Sequence, residues 1–411
     1  MKKFNKDRMS EGNTKWSSCI HREKPLYSRQ GSLRSEFYRD YTRILHCTAY
    51  RRLKHKTQVF FATENDHICT RIEHVNHVAS VSYTIADILG LNTELVSAIA
   101  IGHDLGHAPF GHEGEDILKR IAKNKLTDDF WHEKNSLWFV DKIETLPDPS
   151  GRQENLNLTY AVRDGIISHC GEINESSIFP RDDYIDLYQI ASAGQTAPFT
   201  WEACVVKIAD KIAFLGRDIE DALELKMLRH KGEIKELNEI LMKLGKRFRL
   251  REINNTVLMN EFISDLCRYS SPKSGICLSG KHNEFLKAIK DFNNRFIYSH
   301  PRLVPFKAYA SLILNSLFEL LSSLYRRQKE QTGKQIHNHE KLYPLLLGQF
   351  RGWLIKYSDF EPLSRKKEKY ANNLLYEVED NNSFIKATFD FISGMTDNFA
   401  IRCFKEVTSF K

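Results

Sequence analysis

The sequence predicts an all-α protein on three observations. Apolar residues recur at helical spacing through most of the chain, caps and glycine stops fall at the ends of those runs, and no segment sustains the alternation of a strand. Between His74 and Leu89, the residues Val78, Val81, Ile85, Ile88 and Leu89 keep a period of about 3.6 residues, and Gly90 supplies the stop. Asn92 or Thr93 can cap a second helix whose Leu95, Val96, Ile99 and Ala100 keep the period up to His103. Gly106, Pro109 and Gly111 then break it, and a third helix is expected from about Gly114. Further helical patterns cover 133–143, 159–169, 201–228 and 307–327.

A chain of 411 residues, 41% of them hydrophobic, can bury one large core or two modest ones. A composition shift at 231–251, dense in Lys and Glu, marks the seam between a core at 34–230 and a C-terminal helical region at 231–411, with an N-terminal arm at 1–33. The longest apolar stretch, 309–325, is interrupted by Ser311, Asn315 and Glu319, which makes it a core helix rather than a bilayer span. The first residues lack the apolar segment of a secretory signal, so the expected location is cytoplasmic, with no membrane partner. Eight cysteines without a Cys-x-x-Cys pair argue against a zinc ribbon or a disulfide framework. The formal charge of +7 suits polyanions in general, and the charge runs at 326–334 and 365–369 read as solvated surface.

The chemistry concentrates between residues 101 and 115. His103 and Asp104 end a helix whose Ala98, Ile99, Ala100 and Ile101 are core-like, and an imidazole and a carboxylate buried there demand a partner. A divalent cation is the economical one. Upstream, Arg71 and His74 lie three apart on one helical face and can aim a guanidinium and an imidazole at one phosphate and metal, which favours His74 over His77. Downstream, Asp210 sits deep in the apolar run 205–214, on the face of the predicted helix that also carries Phe214, Arg217 and Asp221.

The ordered set His74, His103-Asp104 and Asp210 resembles the ligand signature of the HD superfamily, whose fold is a helical bundle. Segments 51–60, 70–74, 103–115, 130–136 and 202–221, with an echo at 296–299, resemble the deoxyguanosine triphosphate triphosphohydrolase (dGTPase) family. That resemblance implies an HD-domain bundle with additional C-terminal helices that complete the substrate pocket. It implies a metal-dependent hydrolase that splits a dNTP, dGTP first, at the α-phosphorus into a deoxynucleoside and tripolyphosphate. His74, His103, Asp104 and Asp210 would hold one divalent ion, of Mn, Mg, Co, Fe or Ni. Arg71 and Lys211 would hold the triphosphate. Gln58 and Asp218 match positions that contact the sugar 3′-hydroxyl, while Val59 and Tyr298 would press on the sugar edge and exclude a 2′-oxygen.

His107, His112, Glu115 and His132 match the family's catalytic shell. His112 is expected as general base or proton shuttle with Glu115, three residues on, as its orienter. His169 falls in a family-like stretch and reads equally well as a structural histidine. Phe214 departs from the family, which often carries tyrosine there, so a phenolic hydrogen bond to substrate is missing. The resemblance further implies a homo-oligomer, commonly a hexamer, and is compatible with a single-stranded DNA or nucleotide effector. Two rivals stand beside this reading: another HD phosphohydrolase, such as a nucleotidase or cyclic-nucleotide phosphodiesterase, and an HD nucleic-acid-binding regulator without turnover. The blocks at 51–60 and 201–221 disfavour the first, and the complete ligand set with the His112/Glu115 pair disfavours the second.

Overall fold

Five helices form the bundle whose central member leads into the segment 101–115, and their sequences explain why they pack there. The helix Thr93–Gly102 is capped by Asn92, whose side chain accepts from the backbone N–H groups of Glu94 and Leu95. Its Leu95, Val96, Ala98, Ile99, Ala100 and Ile101 are all buried, so it is apolar over most of its surface, with Glu94 and Ser97 on the partly exposed side, as suits a helix at the centre of a bundle. Each large aliphatic side chain among them contributes roughly 1.5–3 kcal/mol by leaving water. Around it pack Glu36–His46, Arg71–Leu89, Tyr160–Ser168 and Trp201–Ala213. Glycine permits the closest of these contacts: a Cβ on Gly165 would come within 2.6 Å of Ile99.

The computed structural model describes residues 2–26, 33–60, 67–126, 128–169, 176–228, 231–243 and 255–409. Among these the regular secondary structure is helical apart from two small antiparallel ribbons, Thr145–Pro147 with Gln153–Asn155 and Ser177–Ile178 with Ile276–Cys277. No helix among the described residues is long and apolar enough to cross a membrane. Seven of the eight cysteines are free thiols, while Cys170 and the end of the 231–251 seam lie outside the described residues.

Several predicted boundaries shift. Helix Arg71–Leu89 begins on a capping box, in which the Thr70 N–H donates to Glu73 Oε2, and ends on Gly90 at φ 85°. The third helix starts at Gly111 rather than Gly114, because Phe110 and Gly111 turn the chain with φ of 66° and 62°. The 201–228 helix is two, Trp201–Ala213 and Leu215–Glu224, meeting at Phe214, two residues before Gly216. The 307–327 pattern is Val304–Ser322; it packs along Gly111–Lys125 and against Asn381–Ser393 and Asp397–Thr408, so C-terminal helices brace the segment that carries His112. The N-terminal stretch is also tied in: Phe4 and Met9 are buried, and Glu202 Oε1 accepts from the N–H groups of both Met9 and Asn92.

Candidate metal centre and active site

Three helix ends deliver the candidate ligands. His74 comes from the first turn of Arg71–Leu89, His103 and Asp104 follow the end of Thr93–Gly102, and Asp210 lies in the last turn of Trp201–Ala213. His74 Nε2 stands 3.1 Å from Asp210 Oδ1 and 4.0 Å from Asp104 Oδ2, and His103 Nε2 stands 3.7 and 3.8 Å from the same two oxygens. His74, His103 and Asp210 lie close enough together to hold one ion, while Asp104 groups with His103 and His169, so His103 is the donor the two carboxylates share.

The chemistry of His103 agrees. Its Nδ1 donates to the Ala100 carbonyl at 2.6 Å, which leaves Nε2 as a bare lone pair, buried and without a hydrogen-bond partner among the described residues. Burial lowers its pKa to about 4, keeping it neutral and ligating. Burial works the other way on Asp104, but Arg71 and His103 outweigh it and hold that carboxyl well below its usual range. Asp210 is likewise held low against burial, by His74 and His103. His77, by contrast, turns its Nδ1 to Asn255 and joins none of these groups.

Arg71 does more than the sequence suggested. It is buried, and it donates through Nη1 to Asp104 Oδ2 at 2.5 Å, through Nε to the Thr57 carbonyl at 3.3 Å and through Nη2 to the Gln58 carbonyl at 3.5 Å. It therefore couples a candidate ligand to the loop that carries Gln58 and Val59. Gln58 Oε1 is buried and unpartnered among the described residues, as a group reserved for a substrate hydroxyl would be.

The expected catalytic shell lies on the other side of Asp104. His107 Nδ1 is 3.5 Å and His132 Nε2 is 4.0 Å from Asp104 Oδ1. Glu115 does not chiefly orient His112: its Oε2 lies 3.1 Å from His132 Nδ1 and 3.9 Å from His112 Nδ1. The reason is the start of the helix at Gly111, which puts His112 at the lip, with 73% of its side chain exposed, while Glu115 turns inward and is buried. Burial raises the Glu115 carboxyl, but His132 outweighs it and holds it ionised. Gly106 is required where the loop crosses the helix His132–Trp138, since a Cβ there would stand 2.2 Å from the Ser136 nitrogen.

His169 had only an ambiguous signal, yet it repeats the pattern of His103: it follows an apolar helix, donates through Nδ1 to the Ile166 carbonyl at 2.6 Å, and leaves a buried Nε2 unpartnered among the described residues. Its ring lies 4.8 Å from that of His103 and 5.7 Å from that of His132. Histidines 74, 103, 169, 132, 107 and 112 thus form one chain of ring contacts from the ligand set to the lip.

Asp218 and Tyr298 meet as a pair, the Tyr298 hydroxyl donating to Asp218 Oδ2 at 2.5 Å. Burial lifts the Asp218 carboxyl to about 7. Phe214 and Lys211 are half-buried at the end of Trp201–Ala213.

Comparison with known proteins identifies the family. The HD domain model matches residues 71–215, which span the four candidate ligands. Curated relatives named deoxyguanosinetriphosphate triphosphohydrolase-like protein match most of the chain. The one from Thiobacillus denitrificans is 31% identical over 93% of this chain and 92% of its own length. That from Caldanaerobacter subterraneus subsp. tengcongensis is 30% identical over 91% and 85%, and that from Desulfatibacillum aliphaticivorans 36% identical over 70% and 73%.

The chain belongs to the dGTPase-like family of HD hydrolases. Its family-typical part extends well beyond the HD match, since the relatives align with the C-terminal helices as well.

Proposed function

We propose that this dGTPase-like protein hydrolyses deoxynucleoside triphosphates, dGTP first, at the α-phosphorus, releasing a deoxynucleoside and intact tripolyphosphate. The observation that carries the reading is the group His74, His103 and Asp210, with Asp104 3.8 Å from His103, standing beside a second, proton-handling cluster of His107, His112, Glu115 and His132. His74, His103, Asp104 and Asp210 would hold a divalent ion, which would supply Lewis-acid chemistry at the phosphate; the mixed nitrogen and oxygen donors suit Mn, Fe, Co or Ni, and also Mg.

The protein's own groups do the rest. Water adds to the α-phosphorus and the bond to the 5′-oxygen breaks, so one proton must leave the water and one must reach the departing oxygen. Glu115 fixes the Nδ1 side of His132, which turns Nε2 toward Asp104 and the ligand set, where a proton is accepted or delivered. His112 at the lip exchanges that proton with solvent. Arg71 keeps Asp104 ionised and fixed and, with Lys211, balances the charge of the polyphosphate. Gln58 and Asp218 read the 3′-hydroxyl, and Val59 and Tyr298 close the space a 2′-oxygen would need. Phe214 packs on the substrate without a hydrogen bond.

The test is a metal-supplemented assay of dGTP and GTP, with products resolved by phosphorus NMR. Tripolyphosphate from dGTP is expected; pyrophosphate or orthophosphate alone would assign the site to a different phosphohydrolase activity. A cytoplasmic homo-oligomer, hexameric in the family's common form and open to a nucleotide or single-stranded DNA effector, is the matching proposal for the assembly.

A further inference from the structure

We propose that Asp397 is a positioning residue that holds the sugar-reading loop and the catalytic loop in one register. Asp397 opens the C-terminal helix Asp397–Thr408 and is 4% exposed. Its Oδ2 accepts from the Thr57 N–H at 2.9 Å and from the Thr57 hydroxyl, and its Oδ1 accepts from the Phe110 N–H at 2.8 Å. One carboxylate thus binds a residue 340 positions away, beside Gln58, and another 287 positions away, two before His112.

Both partners need holding. Phe110 is a non-glycine residue in the left-handed region, a strained conformation that persists only where its surroundings enforce it. Thr57 and Gln58 lie outside any helix, and Arg71 grips their carbonyls while Asp397 grips the N–H on the same segment. The two loops touch, since a Cβ on Gly111 would stand 3.2 Å from the Gln58 carbonyl oxygen. Buried Lys56, next in line to Thr57, donates to the His107 carbonyl and adds a second tie between them. All three groups facing Asp397 are donors. Only a carboxylate accepts from both sides; an asparagine would aim its own N–H₂ at one of them.

The functional consequence rests on the reading of Gln58 as the contact for the 3′-hydroxyl, and two readouts keep the proposal separable from it. In Asp397→Asn, hydrogen exchange followed by mass spectrometry should speed up in both 53–60 and 108–113, with bound Mn unchanged. In the same variant the preference for dGTP over 2′,3′-dideoxy-GTP in kcat/KM should fall at least tenfold, toward that of Gln58→Ala, and adding Gln58→Ala should cost little more. Unchanged exchange in those two segments, or faster exchange confined to 396–400, would overturn the clamp. If the wild-type protein does not distinguish the two nucleotides, the sugar reading falls and the exchange result alone decides on Asp397. Should Asp397→Asn not fold, Thr57→Val removes one of the three bonds: faster exchange at 53–60 with 108–113 unchanged supports the clamp, and no change in either overturns it.

Discussion

Replacing Asp218 by asparagine should make the protein more stable at neutral and alkaline pH, and less detectably so in acid. Burial lifts the Asp218 carboxyl from its ordinary 3.8 to about 7, while the unfolded chain titrates near the ordinary value. Between those two pH values the folded protein keeps a proton that the unfolded chain has released, so stability falls as pH rises through the window. At about 1.36 kcal/mol per pH unit the full cost above pH 7 is about 4 kcal/mol. That is an upper limit, because local relaxation and water entry soften the burial of a charge. The neutral amide of the variant carries no such cost, and its carbonyl can still accept from Tyr298. With an unfolding entropy of about 2.1 cal/mol/K per residue, or about 0.9 kcal/mol/K for a chain of this length, the gain is worth about 2–5 °C at pH 8. Thermal melts of both proteins from pH 4 to pH 8, in the presence of chelator, measure it. The Tm difference should open between pH 4 and 7 and then stay level. A difference that is constant with pH, or a variant less stable at pH 8, would refute the argument that burial keeps this carboxyl protonated.

Three further outcomes follow from the site. Asp210→Ala and His103→Ala should each lose bound metal and turnover, with His77→Ala losing neither, as read by metal analysis and steady-state rates; a fully metallated, active Asp210→Ala protein would dismantle the ligand assignment. Glu115→Gln and His132→Ala should keep metal but lower kcat by about a hundredfold, whereas His112→Ala at the exposed lip should fall less and recover with added imidazole buffer; a large loss in His112→Ala beside a small one in His132→Ala would mean that His112, not His132, handles the proton. Tyr298→Ala should raise relative activity on GTP while Gln58→Ala weakens dGTP without helping GTP, in kcat/KM measurements; a wild-type protein indifferent to the 2′-oxygen would remove the deoxyribose pocket.

Much of the site is legible locally because its chemistry sits at helix ends. The period from Val78 to Leu89 and the Gly90 stop, the Asn92 cap, and His103-Asp104 at the end of an apolar run are all short-range signals, and the structure places each one where those signals point. Asp210 stands out for the same reason, as a carboxylate in an apolar stretch. Other features carry no such mark. The break at Phe214 has only Gly216 beside it, and the apolar period of Ile208, Ile212, Leu215 and Ile219 runs on across it, so the long pattern reads as one helix. The transfer of Glu115 from His112 to His132 depends on Phe110 and Gly111 starting the helix early, which spacing alone cannot reveal. His169 looks like an ordinary helix-end histidine until its free Nε2 is seen facing His103.

By itself, then, the sequence determined the helical class and the family and marked the candidate ligands, because periodicity, caps and residue order are written in neighbouring residues. Only the tertiary structure decided which carboxylate serves which histidine, that Arg71 spends its donors on Asp104 and the Gln58 loop, and that Asp397 reaches both loops of the site. The physical reason is that a hydrogen bond between Thr57 and Asp397 leaves no trace in the local pattern of either segment: it exists only once the buried helices have brought their ends together.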